Sequence, residues 1–259
     1  MRITEKNNIA YTMKRHIPNA ITCCNLLCGC LAVWLATQGA FVHAFLFMLG
    51  GVVFDFFDGM VARRLGVSGP MGIQMDSLAD DITFGLAPAM MLFCYLRPLL
   101  GWWSLLALLM AAFSAVRLAK FNIDERQKTS FIGLPTPANA LFWGGITSMP
   151  LAMTAPVSVG ATTIDLIPCL LLGLSLASCY LLVSELPMLS FKFHDLSWSA
   201  NRPRYLFLTG CLVIIGFCVF RAIDYERPVF VLFSATGCIL WYVLFNLTKL
   251  CFDRSKSVA

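Results

Sequence analysis

Apolar residues in this chain come in runs of about 20, the length at which an α-helix spans a bilayer, and such runs recur along nearly the whole sequence. Eight are legible, roughly at residues 19–38, 41–63, 75–96, 99–121, 136–154, 164–184, 204–222 and 228–248. Backbone amides and carbonyls find no water in hydrocarbon, so helices are the expected solution. Composition agrees. Hydrophobic residues make up 59% of the 259 and charged residues 13%, about half the charged share of an average soluble domain. The expected fold class is all-α: a polytopic membrane helix bundle of about eight transmembrane helices.

Lys and Arg set the expected orientation, because cytoplasmic loops collect positive charge. With the N-terminus in the cytoplasm, all 19 fall on the cytoplasmic side except Arg97, Arg221 and Arg227. An even number of spans then returns the C-terminus to the same side, N-in and C-in. The net charge of +5 is thus a topology signal. It points away from nucleic acid, since no basic run is interleaved with aromatics outside the spans. The first 18 residues are polar and lack a small-x-small cleavage site, so the first apolar run reads as a retained span. The 11 cysteines, such as Cys23, Cys24, Cys28, Cys169 and Cys211, lie almost wholly within apolar runs. They read as small buried hydrophobes, and no paired CxxC motif supports a disulfide framework or a zinc site.

Against this background the stretch DFFDGMVARRLGVSGPMGIQMDSLAD, residues 55–80, stands apart. Asp55 and Asp58 are i, i+3 at the cytoplasmic end of the second span. Asp76 and Asp80 are i, i+4 at the start of the third. Either spacing places a pair on one helical face. The connection between them holds Gly66, Gly69, Pro70 and Gly72 and reads as a turn. Two antiparallel helices joined this way point four carboxylates at one spot, where unpaired charges would repel. One or two divalent cations remove that repulsion, and an oxygen-only set suits Mg²⁺, Mn²⁺ or Ca²⁺ over zinc. A single Asp at a helix end reads equally well as a solvated interfacial residue. Four at these spacings, accompanied by Gly59 and Arg63, do not.

Gly59 sits in a helical segment, where it costs about 1 kcal/mol relative to Ala. Its missing side chain lets a phosphate approach the backbone, and Arg63, one turn on, can take a phosphate oxygen. Metal, phosphate and membrane together suggest phosphoryl-type transfer on a lipid substrate. A divalent-cation transporter is the other reading, since ionisable residues in spans also mark ion pathways. Transporter sites tend to lie near the midplane, whereas these carboxylates cluster at the cytoplasmic boundary.

The stretch resembles the signature of the CDP-alcohol phosphatidyltransferases, D-x2-D-G-x2-A-R-x8-G-x3-D-x3-D, with Asp55, Asp58, Gly59, Ala62, Arg63, Gly72, Asp76 and Asp80 in the fixed positions. Further segments resemble one branch, the integral-membrane phosphatidylserine synthases: PNAITCCNLLCG (18–29), DSLADDITFGLAPA (76–89), RLAKFN (117–122), FIGLPTPA (131–138) and SELPMLSFK (184–192). Lys120 is a small departure, standing where Arg is expected in RLARFN.

The resemblance implies an enzyme that joins CDP-diacylglycerol and L-serine, gives phosphatidylserine and CMP, and uses Mg²⁺ or Mn²⁺, two ions in all. Glycerol 3-phosphate or an inositol phosphate is the alternative acceptor. By position, Asp55, Asp58 and Asp76 would ligate metal, while Asp80 would ligate the second metal and act as general base on the serine hydroxyl. Gly59, Ala62, Arg63 and Gly72 would line the CDP moiety. Asn19, Thr22 and Asn25 recur every three residues along the first span. There they bind nucleotide or acceptor, Asn19 and Thr22 being assigned to the CDP-lipid and Asn25 to serine, or else they serve as caps and interhelical hydrogen bonds. The serine carboxylate calls for a cation. Arg117 and Lys120 are the first candidates and Lys128 and Lys192 the next, with positive-inside anchoring as the alternative role. Asp81 orients a ligand or faces water, and His16, His43 and His194 receive no role.

The expected organisation is a cytoplasmic segment at 1–18, a transferase core at 19–192, and two additional spans with a short cytoplasmic tail at 193–259. The resemblance further implies a homodimer in a bacterial inner membrane with its site facing the cytoplasm, and no nucleic-acid partner.

Overall fold

A computed structural model of the chain describes residues 2–67, 69–124, 131–150, 157–159, 162–164, 166–189 and 198–258. The elements are helices α1 (Arg2–Thr37), α2 (Phe41–Leu65), α3 (Pro70–Asp80), α4 (Ala87–Leu100), α5 (Leu109–Ile123), α6 (Thr136–Thr147), α7 (Leu166–Val183), α8 (Trp198–Asp224) and α9 (Val229–Val258). Four short strands accompany them, β1 (Phe131–Ile132), β2 (Val157–Val159), β3 (Thr162–Ile164) and β4 (Pro187–Met188). Both sheets are two-stranded and antiparallel, β1 with β4 and β2 with β3. The protein is therefore all-α in the expected sense, an integral membrane helix bundle.

Among the described residues, six helical segments are long and apolar enough to cross a bilayer: His16–Thr37, Phe41–Leu65, Pro70–Ile123, Leu166–Val183, Asn201–Asp224 and Val229–Leu250. The third is a 54-residue run that joins two of the expected spans. A straight helix of that length would extend about 80 Å at 1.5 Å per residue. It folds back at Gly101, which adopts φ 53° and ψ −125°, a conformation that L side chains resist. Leu92, Tyr95 and Leu96 before the turn then pack with Ala107 and Met110 after it, around Trp143. Of the expected span at 136–154, the described part is helical over the 12 residues of α6, and residues 151–154 lie outside the described residues. The chain leaves the helix ahead of Pro150, whose ring disfavours helical geometry at Met149.

A second core cluster packs Ala32 and Ala36 of α1, Ala44, Phe45 and Met48 of α2, and Met91 of α4 around Phe84. Phe84 lies in a wide, π-type turn, Asp81–Leu86, that links α3 to α4. Such turns insert an extra residue and re-aim the helix. Thr83 of this turn wedges between α1 and α2 at two glycines. A β-carbon on Gly29 would lie 2.8 Å from Thr83 Cα, and one on Gly51 would lie 2.5 Å from Thr83 Cγ2. Small residues at such crossings let helices approach closely within a bilayer. Thr83 Oγ1 then donates to the carbonyl of Asn25, at 3.0 Å, which fixes the third helical segment against the first beside the carboxylates.

Candidate functional site

The link between α2 and α3 is built to reverse the chain quickly. Gly66 caps α2 in the left-handed conformation (φ 63°), with Gly66 and Val67 amides donating to the carbonyls of Arg63 and Ala62. Pro70 then opens α3 in the first turn, where its missing N–H costs nothing. The reversal brings Asp55 of α2 against Asp76 and Asp80 of α3, and carboxylate oxygens of all three lie within 4.8 Å of one another.

Asp58 takes a different partner. It is buried, and its Oδ2 accepts a 2.6 Å hydrogen bond from Thr22 Oγ1. The Thr22 hydroxyl also lies 3.1 Å from the Pro18 carbonyl in the preceding turn of α1. Asp80 Oδ1 accepts from Asn25 Nδ2 at 3.1 Å. The Asn25 side chain, expected at the acceptor, is thus engaged in holding Asp80. Thr22 and Asn25, three residues apart on α1, each orient one carboxylate. Hydrogen-bonded ligand residues of this kind fix the geometry of a metal site.

The residues present fit hard divalent cations. Three carboxylates converge with no cationic side chain among them in the described residues, the donor atoms are all oxygen, and Asp76 Oδ1 is buried without a hydrogen-bond partner there. Like charges at that separation repel, and a divalent cation between them removes the repulsion.

A cleft of about 150 Å³ adjoins the cluster. Asn19, Thr22, Gly59, Ala62, Arg63 and Gly72, the six residues assigned to the CDP-lipid from sequence, all line it together with Asp58 and Asp76. Its glycines keep it open. A β-carbon on Gly59 would sit 3.3 Å from Arg63 Nη1, and one on Gly72 would sit 3.8 Å from Asn19 Oδ1.

Arg117 and Lys120 line a second cleft, of about 190 Å³, with Asp124 just past α5, Ile132 of β1 and residues 182–185 at the end of α7 and just beyond it. Arg117 is buried, donates through Nη1 to Thr136 Oγ1 at 2.9 Å, and lies over the Phe121 ring at 5.8 Å. It is within electrostatic reach of Asp80. Lys120 is exposed. Lys128, Lys192 and His194 lie outside the described residues. Asp81 is half-buried, and its Oδ1 has no hydrogen-bond partner. The described cysteines are all free.

Thr136 received no role from the sequence, although it lies within FIGLPTPA. A hydroxyl at the start of a helix reads as an ordinary cap, and only the tertiary fold shows that it faces Arg117.

The profile of the CDP-alcohol phosphatidyltransferase family matches residues 15–187. Among curated proteins, the CDP-diacylglycerol–serine O-phosphatidyltransferase of Bacillus subtilis is 36% identical over 183 residues, covering 69% of this chain and 93% of that protein. The protein of the same name from Helicobacter pylori is 30% identical over 244 residues, covering 93% and 96%. That from Methanocaldococcus jannaschii is 35% identical over 129 residues, covering 50% and 59%.

Proposed function

The chain belongs to the CDP-alcohol phosphatidyltransferase family, and on that premise we propose that it transfers the phosphatidyl group of CDP-diacylglycerol to L-serine. The observation that carries this reading is the convergence of Asp55, Asp76 and Asp80, flanked by a glycine-lined cleft containing Arg63 and by a second cleft containing Arg117 and Lys120. The names of the curated relatives support serine as the acceptor. As a family of transferases, these proteins displace the ion-transport reading.

Asp55, Asp58, Asp76 and Asp80 would hold two divalent cations, Mg²⁺ or Mn²⁺. When bound, such ions stabilise negative charge on the transferred phosphoryl group and its leaving group. Arg63 and the open faces at Gly59 and Gly72 receive the diphosphate and the cytidine. Arg117 and Lys120 attract the serine carboxylate. Asp80, held by Asn25 and within electrostatic reach of Arg117, takes the proton from the serine hydroxyl. The serine oxygen bonds to the phosphatidyl phosphorus, the bond from that phosphorus to CMP breaks, and CMP leaves. The attack is direct, since two positioned partners can react in one step and no Ser, Cys or His is placed as a covalent nucleophile among the described residues of the first cleft.

The distribution of Lys and Arg supports a site facing the cytoplasm with N- and C-termini on that side, and together with the family resemblance it supports residence in a bacterial inner membrane. A homodimer is part of the same reading, by family resemblance. The test is CMP release from CDP-diacylglycerol by purified protein with Mg²⁺ or Mn²⁺, comparing L-serine, glycerol 3-phosphate and inositol phosphate. Release with serine alone is expected. Release with another acceptor in its place would discard serine and keep the metal site.

A further inference from the structure

The cleft at Arg117 and Lys120 has one wall on α5 and an opposing wall made of Ile132 and residues 182–185. That second wall joins the last residues of α7, the two residues that follow them and the end of β1. Its pieces are tied to one another by backbone bonds: Phe131 pairs with Met188 and Ile132 with Pro187, the Gly133 amide donates to the Leu186 carbonyl at 2.9 Å, and the Leu134 amide donates to the Leu181 carbonyl at 2.9 Å. The fit is close, for a β-carbon on Gly133 would lie 2.8 Å from the Ser184 carbonyl oxygen.

The β4 end of this wall is tied to the bundle by α9. Tyr242 donates through its hydroxyl to the Leu189 carbonyl at 3.1 Å, and the Leu189 amide donates to Asn246 Oδ1 at 2.6 Å. Asn246 Nδ2 in turn donates to the Tyr242 carbonyl at 2.7 Å. Both polar backbone groups of Leu189, one residue past β4, are therefore held by a single turn of α9. Leu134, Met188, Leu189, Phe207 and Tyr242 close over the junction as one apolar cluster. The Tyr242 phenol is also within electrostatic reach of the Arg117 guanidinium.

We propose that Tyr242 and Asn246 of α9 are positioning residues for the amino-acid acceptor: they fix the wall that faces Arg117 and Lys120 and so set the affinity for serine. The proposal rests on the reading of that cleft as the serine site. It gives a function to a helix that lies outside the region matched by the family profile, 15–187. Buried hydrogen bonds that hold a wall in place matter to the ligand bound against it, because a small displacement is felt directly in affinity.

The experiment uses the full chain, reconstituted with CDP-diacylglycerol, and measures KM for each substrate separately. Tyr242→Phe is expected to raise the KM for serine about threefold to tenfold, with kcat and the KM for CDP-diacylglycerol within about twofold. Thr236→Val serves as the control on the same helix. It removes the 2.8 Å bond from Thr236 Oγ1 to the Phe142 carbonyl, away from the cleft, and is expected to lower the melting temperature without moving the KM for serine. An unchanged serine KM in Tyr242→Phe, or an equal rise in Thr236→Val, overturns the proposal. Lys120→Gln separates that failure from failure of the serine site. If it raises the serine KM while Tyr242→Phe does not, only the role of α9 falls. If neither does, the assignment of the cleft to serine falls with it.

Discussion

The two clefts, one beside the carboxylates and one at Arg117, are made in different ways. The cleft with Asp58, Gly59 and Arg63 is lined wholly by α1, α2, α3 and the link between the last two. The cleft with Arg117 and Lys120 gathers the end of α5, one residue of β1 and the end of α7 with the two residues after it, and α9 braces it from the far end of the chain. The first depends on local devices: a left-handed glycine cap, a proline at the start of a helix, and carboxylates at helical spacings. The second depends on long-range contacts, which no local pattern encodes. Chemistry common to many acceptors belongs on the first kind of scaffold. Selection of one acceptor can reside on the second, where a wall can move without disturbing the metal ligands.

The comparison can be broken at several points. The largest effect is expected from metal removal: chelation of divalent cations should abolish CMP release, with Mg²⁺ or Mn²⁺ restoring it, and activity that survives chelation would remove the premise of the first cleft. Next is Gly51→Val. Its side chain would press on Thr83 Cγ2 at 2.5 Å and on Asn25 Oδ1 at 2.9 Å. Overpacking of this kind costs about 1–3 kcal/mol, so the melting temperature and CMP release should fall together as Asn25 loses its hold on Asp80. Gly59→Val should raise the KM for CDP-diacylglycerol about tenfold, equivalent to about 1.4 kcal/mol, by filling the space beside Arg63, and should leave the KM for serine nearly unchanged. Lys120→Gln should do the reverse and more weakly. Exposed charge pairs are worth up to about 1 kcal/mol, so the KM for serine should rise a few-fold. If either of the last two variants shifts both constants together, the clefts are not separate.

This contrast also explains what was legible in the sequence. Asp55, Asp58, Asp76 and Asp80 lie in one short stretch at helical spacings, so their approach could be read from periodicity and a turn. Asn19, Thr22, Gly59, Ala62, Arg63 and Gly72 were read with them and line one cleft. The partner of each carboxylate was not legible. Thr22 with Asp58 and Asn25 with Asp80 depend on the rotation of α1, which is set by Thr83 seating against Gly29 and Gly51. For the same reason Thr136 escaped notice, because its bond to Arg117 crosses between two helices. The spans were legible by length. The break expected between 96 and 99 lies close to the turn at Gly101, and the exception was the early end of α6 at Thr147.

The central claim is that Asp80 works between the two clefts, bound to the metal site on one side and removing the serine proton on the other. It is tested most directly by Asp80→Asn, with CDP-diacylglycerol binding and CMP release measured on the same preparation. Asparagine keeps the size of the side chain and loses its basicity. The expected result is binding within a few-fold of the parent protein and CMP release reduced by about 10²–10⁴. Turnover close to that of the parent protein would contradict the claim.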